Sequence, residues 1–154
     1  GYYYGASDQP GRVYLLYGPV EGVIEADDAD AALIGESTND RTGTSVAGPG
    51  DVDGDGLDDL LIGAPAMQVD GVAGGGAYLV TEAPTGANVL MAGGIRLEAP
   101  GNEAAGFAVH GAGDIDGDGY VDFLIGAPER SSDGFTKNGR VYVVYSADFV
   151  PPEQ

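Results

Sequence analysis

Residues 48–65 read GPGDVDGDGLDDLLIGAP, and residues 111–128 read GAGDIDGDGYVDFLIGAP. In the first stretch five aspartates fall between Asp51 and Asp59, and an apolar run, Leu60-Leu61-Ile62, follows at once. Like charges this dense must stay hydrated or hold a cation, whereas the apolar run must be buried. A charge-dense turn is thus welded to a core strand, and the chain makes that weld twice.

Shifting the sequence by 63 residues lays Asp51 on Asp114 and extends the match from Thr42 and Ala105 through Pro65 and Pro128. After one extra residue, "GGAYLV" from Gly75 matches "GRVYVV" from Gly139, and "GRVYLLY" at Gly11 is a third copy. "YYYGAS", Tyr2 to Ser7, matches "FLIGAP", Phe123 to Pro128. A period near 60 residues made of short strands predicts stacked units or a propeller.

Each unit reads as four strands. Strand A is Thr44–Gly48 or Phe107–Gly111, strand B Asp59–Pro65 or Asp122–Pro128. Strand C is Gly76–Val80 or Arg140–Tyr145, and strand D is Ala31–Gly35 or Gly94–Glu98. Strands B and C are apolar at nearly every position, which in an antiparallel sheet means that both faces are covered. The chain then holds B, C and D of a first unit (1–35), all of a second (36–98, loop 51–59), and A, B and C of a third (99–149, loop 114–122). A tail follows at 150–154. The outer units are incomplete, which leaves strand edges and apolar faces open to further association.

Composition narrows the function. Of 154 residues 43% are hydrophobic, enough for a core, and 28 are Gly, placed in turns. Acidic residues outnumber basic ones 25 to 6, a formal charge of −19, which speaks against nucleic-acid and anionic-membrane partners and for cations or a basic partner. Cysteine is absent, so neither disulfides nor thiolates enter. No stretch reads as a membrane span or a signal peptide, and a start at Gly1 reads as a processed product or a fragment.

In the first loop Asp51, Asp53 and Asp55 stand at positions 1, 3 and 5, the Leu57 carbonyl at 7 and Asp59 at 9. The second loop offers Asp114, Asp116, Asp118, the Tyr120 carbonyl and Asp122. This is the oxygen-only, alternating ligand set of a Ca²⁺ loop, and it predicts two ions. Two carboxylates ~5 Å apart repel by about 3 kcal/mol at an effective dielectric near 20, so closing the loop calls for a cation. An EF-hand would need Glu at position 12, where Ile62 and Ile125 stand inside strands.

These stretches, each followed by a G-x-x-Y strand, resemble the FG-GAP repeats of integrin α-subunits and are closer still to the bacterial relatives of those repeats. The resemblance implies an all-β fold, with β-propeller blades of four antiparallel strands and Ca²⁺ in the A–B loop. About two and a half blades are present of the seven an integrin propeller closes. Two departures stand out: Thr42-Gly43 and Ala105-Gly106 replace the "FG" aromatic, and Ser7 replaces the proline of "GAP".

No enzyme is expected. His110 is the sole histidine and sits in strand A; Ser45 lies in no nucleophile motif. The tyrosines at 2–4, 14, 17, 78, 142 and 145 fall on strands B and C, where core packing explains them. The leading expectation is a Ca²⁺-stabilised adhesion or protein-recognition segment, extracellular or at the cell surface. It would meet a protein or glycan ligand through the unlike loops Ala66–Gly75 and Glu129–Asn138. The alternatives are a unit that self-assembles with other copies through its open blades, and a carbohydrate-binding or accessory domain of a secreted enzyme.

Overall fold

In the computed structural model, residues 10–89, 94–129 and 136–149 are described. Three sheets stack in chain order. The first contains β1 (Arg12–Leu15), β2 (Ala31–Ile34) and β8 (Gly86–Val89). The second runs β3 (Ser45–Gly50), β4 (Asp59–Ala64), β7 (Gly76–Val80), β9 (Ile95–Glu98), antiparallel throughout. The third contains β10 (Ala108–Gly113), β11 (Asp122–Ala127) and β12 (Arg140–Val144). A two-strand hairpin, β5 (Gln68–Val69) and β6 (Val72–Ala73), stands in the β4–β7 connection.

The second sheet is the centre of the molecule because its inner strands have no polar face. Leu60 pairs with Val80 and Ile62 with Tyr78, and these four pack with Ala64, Met67, Leu33 and Val13 in one cluster against the first sheet. One residue along, Leu61 pairs with Leu79, and this opposite face packs with Ala77, Val109, Phe123, Ile125 and Ala127 against the third sheet. The period of two that sorts residues to faces here sorts them to two different cores.

Main chain, rather than side chains, makes the closest approaches between sheets. Ala105-Gly106 inserts between the second and third sheets: Ser45 Oγ donates to the Gly106 carbonyl (2.9 Å), Gly106 N–H donates to Gly126 O (3.0 Å), and Ala105 bridges Gly75. A methyl group on Gly106 would strike the Gly76 carbonyl, and one on Gly63 would strike the Gly106 carbonyl. Thr42-Gly43 repeats this insertion one sheet earlier, with Thr42 bridging Gly11 and Gly43 N–H donating to Gly63 O (3.0 Å). Thr42 and Ala105 are both buried, so small residues occupy the place of the expected aromatic.

Some expectations shift. Strand A starts one residue later than read and ends two residues later, at Gly50 and Gly113, past a bulge in each copy. The first sheet gains a strand from the second repeat: β8 pairs in parallel with β2, Ala31 against Gly86 through Ile34 against Val89. Gly86 N–H donates to Asp30 O (2.9 Å) and Tyr17 Oη to Pro84 O (3.0 Å), which fixes the register. No fourth strand joins the third sheet among the described residues; a 3-10 turn, Ser146–Phe149, sits there with Phe149 against Phe123. Of the tyrosines, Tyr78 is core and Tyr142 half-buried, whereas Tyr14, Tyr17 and Tyr145 are exposed. The strand read at Tyr2–Ser7, Tyr2–Tyr4 among the tyrosines, and the tail at 150–154 lie outside the described residues.

Each repeat also buries an acid before its first strand. Asp40 accepts from Ser37 N–H (3.0 Å), and its counterpart Glu103 accepts from Tyr142 Oη. The carbonyls of both take N–H groups at equivalent places, Ala66 and Glu129. Loss of hydration holds the Asp40 carboxyl above its usual range, and the charge of Glu36 adds to this. Ser37 N–H and Arg96 oppose it.

Two outcomes follow for stability. Gly106→Ala should cost at least about 2 kcal/mol, because left-handed backbone and a main-chain collision add; Gly117→Ala has the same backbone but open space, and should cost only about 1–2 kcal/mol. Urea denaturation reads both. A raised native pKa means that the folded chain binds more protons than the unfolded one in the window above the ordinary carboxylate value. The Asp40 term therefore favours folding as pH falls into that window and disfavours it as pH rises through the native pKa. Asp40→Asn should then stabilise the chain at pH 7 and reduce its gain on acidification, as seen in denaturation at pH 7 and 5.

Candidate metal centres

Both aspartate loops leave their first strand at the bulge and return into the next strand, so the ninth residue of each loop is also the first residue of a core strand. In loop 51–59 the position-1 carboxylate organises the turn. Asp51 Oδ1 accepts from Gly54 N–H (2.7 Å) and Asp55 N–H (3.1 Å), and Oδ2 accepts from Gly56 N–H (2.9 Å). Asp53 Oδ1 takes Asp55 N–H (3.1 Å), Asp55 Oδ1 takes Leu57 N–H (2.8 Å), and Asp59 Oδ2 takes Val52 N–H (2.6 Å). Gly54 and Gly56 reach these donors through φ of 82° and 90°, which other residues adopt only with strain.

Loop 114–122 repeats every one of these bonds. Asp114 accepts from Gly117 (2.7 Å), Asp118 (3.1 Å) and Gly119 (3.0 Å); Asp116 from Asp118 (3.2 Å); Asp118 from Tyr120 (2.9 Å); Asp122 from Ile115 (2.9 Å).

Three of the anticipated ligand side chains in each loop converge. Carboxylate oxygens of Asp51, Asp53 and Asp59 lie within 4.8 Å of one another, and so do those of Asp114, Asp116 and Asp122. Asp55 and Asp118 lie outside these trios. Leu57 is exposed and Tyr120 half-buried. Asp58 is on the surface, as its off-register position implies.

Asp59 carries the test of fit. It is buried, its Oδ2 is bonded to Val52 N–H, and its Oδ1 is buried with no partner. A buried carboxylate oxygen left unpaired is costly, and here it belongs to a group with two more carboxylates beside it. Burial raises the Asp59 pKa, opposed by Val52 N–H and reinforced by the charges of Asp53, Asp51 and Asp55. A hard divalent cation with oxygen ligands meets all three conditions, and the donor set fits Ca²⁺. Asp122 is equally buried, but its Oδ1 takes Ser146 N–H (3.2 Å) from the turn after β12.

Three features of the site escape sequence reading. Val52 and Ile115 supply the donors that hold the ninth-position carboxylates; their shared position 2 in both copies was the available signal. Ser146 has no signal of its own. The loops also touch: Tyr120 lies where a side chain on Gly54 would be, and Gly111 packs on Pro49. Ser45 Oγ is committed to the Gly106 carbonyl, and His110 is exposed on β10.

Comparison with known proteins agrees with this geometry. The FG-GAP repeat family matches residues 42–80 and 105–144, each span holding one loop and the strands around it. Integrin alpha-PS2 of Drosophila melanogaster is 37% identical over 125 residues, 77% of this chain and 9% of that protein. Integrin alpha-3 of Mus musculus is 31% identical over 137 residues (89% and 12%), and integrin alpha-IIb of Homo sapiens 34% over 118 (76% and 11%). The chain thus spans about a tenth of the length of these relatives. It belongs to the FG-GAP repeat family, and its stacked sheets are blades of a partial β-propeller.

Proposed function

We propose that the chain is a Ca²⁺-stabilised propeller segment that serves adhesion or protein recognition outside the cytoplasm. The observation that carries this reading is the cage of hydrogen bonds repeated bond for bond in two loops, each around three converging carboxylates. The ligands would be Asp51, Asp53, Asp55, the Leu57 carbonyl and Asp59 in one site. Asp114, Asp116, Asp118, the Tyr120 carbonyl and Asp122 would form the other. When bound, the ion neutralises the carboxylates and pins loop to strand; it supplies no chemistry to a substrate. The chain's own part is to pre-set the carboxylates with main-chain donors, so that binding costs little reorganisation.

Similarity to integrin α-subunits supports the adhesive role and the location, and an extracellular setting would supply the millimolar calcium that suits modules with Kd of about 10⁻⁴–10⁻³ M. A protein ligand would meet the sheet-end connections, where the β5–β6 hairpin projects from the second sheet. No residue is assigned a catalytic task.

Titration calorimetry should find two Ca²⁺ sites; Asp53→Ala and Asp116→Ala should each remove one and spare the other, and fewer than two in the unaltered chain defeats the assignment. At 1 mM Ca²⁺ and Kd ~10⁻⁴ M each ion adds about 1.4 kcal/mol, so chelator should lower Tm by roughly 5–10 °C. Beads carrying the chain should be retained on cell monolayers in Ca²⁺ and released by chelator, and equal retention in both ends the adhesive reading.

With chelator present, Asp59→Ala should still cost about 1–3 kcal/mol, because the Val52 N–H loses its buried partner. Asp53→Ala should cost little under the same conditions. Denaturation curves separate the structural from the ion-dependent share of each carboxylate.

A further inference from the structure

The two aspartate loops meet at the internal junction between the second and third sheets, and one residue belongs to both. The strands that launch them, β3 and β10, lie side by side, and a methyl group on Gly111 of β10 would stand 2.8 Å from Pro49 Cα of β3. Tyr120, at position 7 of the later loop, donates its N–H to Asp118 Oδ1 (2.9 Å), and its carbonyl is one of the ligands proposed above. Its ring crosses to the earlier loop, where Cε1 would stand 3.0 Å from a Cβ on Gly54. Val121, the next residue, covers Gly50 in the same way, with Cγ2 3.4 Å from the place of a Cβ.

Gly54 is a working part of its own loop. Its N–H donates to Asp51 Oδ1 (2.7 Å), and it stands between Asp53 and Asp55. The φ of 82° at this turn favours glycine, and the side chain that glycine lacks is the space that the Tyr120 ring enters.

We propose that the two ion sites are coupled through the Tyr120 ring, so that filling either loop tightens binding at the other. The proposal rests on the calcium reading of these loops. Without an ion, the aspartates of the later loop repel one another, and hydrogen bonds within the loop alone hold the Tyr120 main chain. With an ion, the Tyr120 carbonyl becomes a ligand, its main chain is fixed, and the ring is held against Gly54. The earlier loop then loses less conformational entropy when its own ion arrives. Linkage makes the effect reciprocal. Electrostatics acts the other way, because each bound dication weakens the field that attracts the next. Physiological salt limits that opposition: a dication among four aspartates leaves a filled loop still negative, and charges are screened over about 8 Å.

The Gly56 and Gly119 N–H groups, which donate to Asp51 Oδ2 and Asp114 Oδ2, report the loops separately in amide NMR spectra. The 154-residue chain is titrated with CaCl₂ at physiological ionic strength. Asp116→Ala should raise the midpoint at Gly56, and Asp53→Ala that at Gly119, so the spared loop binds more weakly. The product of the two shifts measures the coupling, and should be about tenfold. The same pair of substitutions in a Tyr120→Ala background, which keeps every other carboxylate and the position-7 carbonyl, should give a product near one. In Tyr120→Phe it should return to about tenfold. In Asp53→Ala, Ca²⁺ at the later loop should still move the Gly54 Hα resonances, and should leave them in place once Tyr120 is also Ala. Circular dichroism verifies folding, with Asp116→Asn and Tyr120→Ser as replacements for a variant that fails to fold. A product of one or less in the unaltered background overturns the proposal, as does a tenfold product that survives Tyr120→Ala. Shifts at both glycines without linkage retire the coupling alone; no shift at either retires the calcium reading with it.

Discussion

A central sheet with no polar face governs this molecule. Leu60 through Ala64 and Gly76 through Val80 cannot be folded as a half-exposed sheet, because both sides of β4 and β7 are apolar. At about 25 cal/mol for each Å² removed from water, covering one side only would forfeit much of the available stabilisation. Sheets on both sides are therefore required, and stacking is the architecture that supplies them from a repeated sequence. Everything else adjusts to this demand, including the glycines that let main chain slip between sheets.

The aspartate loops are the polar counterpart of the same demand. Each ends in a buried carboxylate, Asp59 or Asp122, at the entrance to a core strand. Placing a charge there is costly, and the fold limits the cost with a main-chain donor two residues into the loop. The remaining oxygen of Asp59 is left for something else, while that of Asp122 is met by Ser146. The two loops thus share a cage and differ in how their inner carboxylate is completed. They also lean on each other, through Tyr120 at Gly54 and Gly111 at Pro49, because the strands that launch them are neighbours.

What the sequence disclosed, and what it hid, follows from the range of the interactions. The loop register, the strands after each loop and the double burial of β4 and β7 were legible because they are local patterns of period two, doubled by an internal repeat. The convergence of Asp51, Asp53 and Asp59 was legible for the same reason, since all three share one short turn. Parallel pairing of β8 was not, because it joins Gly86–Val89 to a strand some fifty residues earlier. Ser146 was hidden likewise, since a backbone N–H carries no residue signature. The tyrosines were only half read: Tyr78 and Tyr14 hold equivalent places in the repeat, yet Tyr78 is core and Tyr14 is exposed, a difference set by packing between sheets and not by the strand itself.

The β2–β8 ladder bears on how such a chain is inherited. A repeat of 63 residues invites the thought that it can be copied, lost or exchanged as a block. Yet the first sheet borrows its outer strand from within the second period, so no cut at the period's edge releases a self-sufficient piece. The smallest transferable module is larger than the sequence period, and gene-level rearrangement would have to respect pairing partners rather than motif spacing.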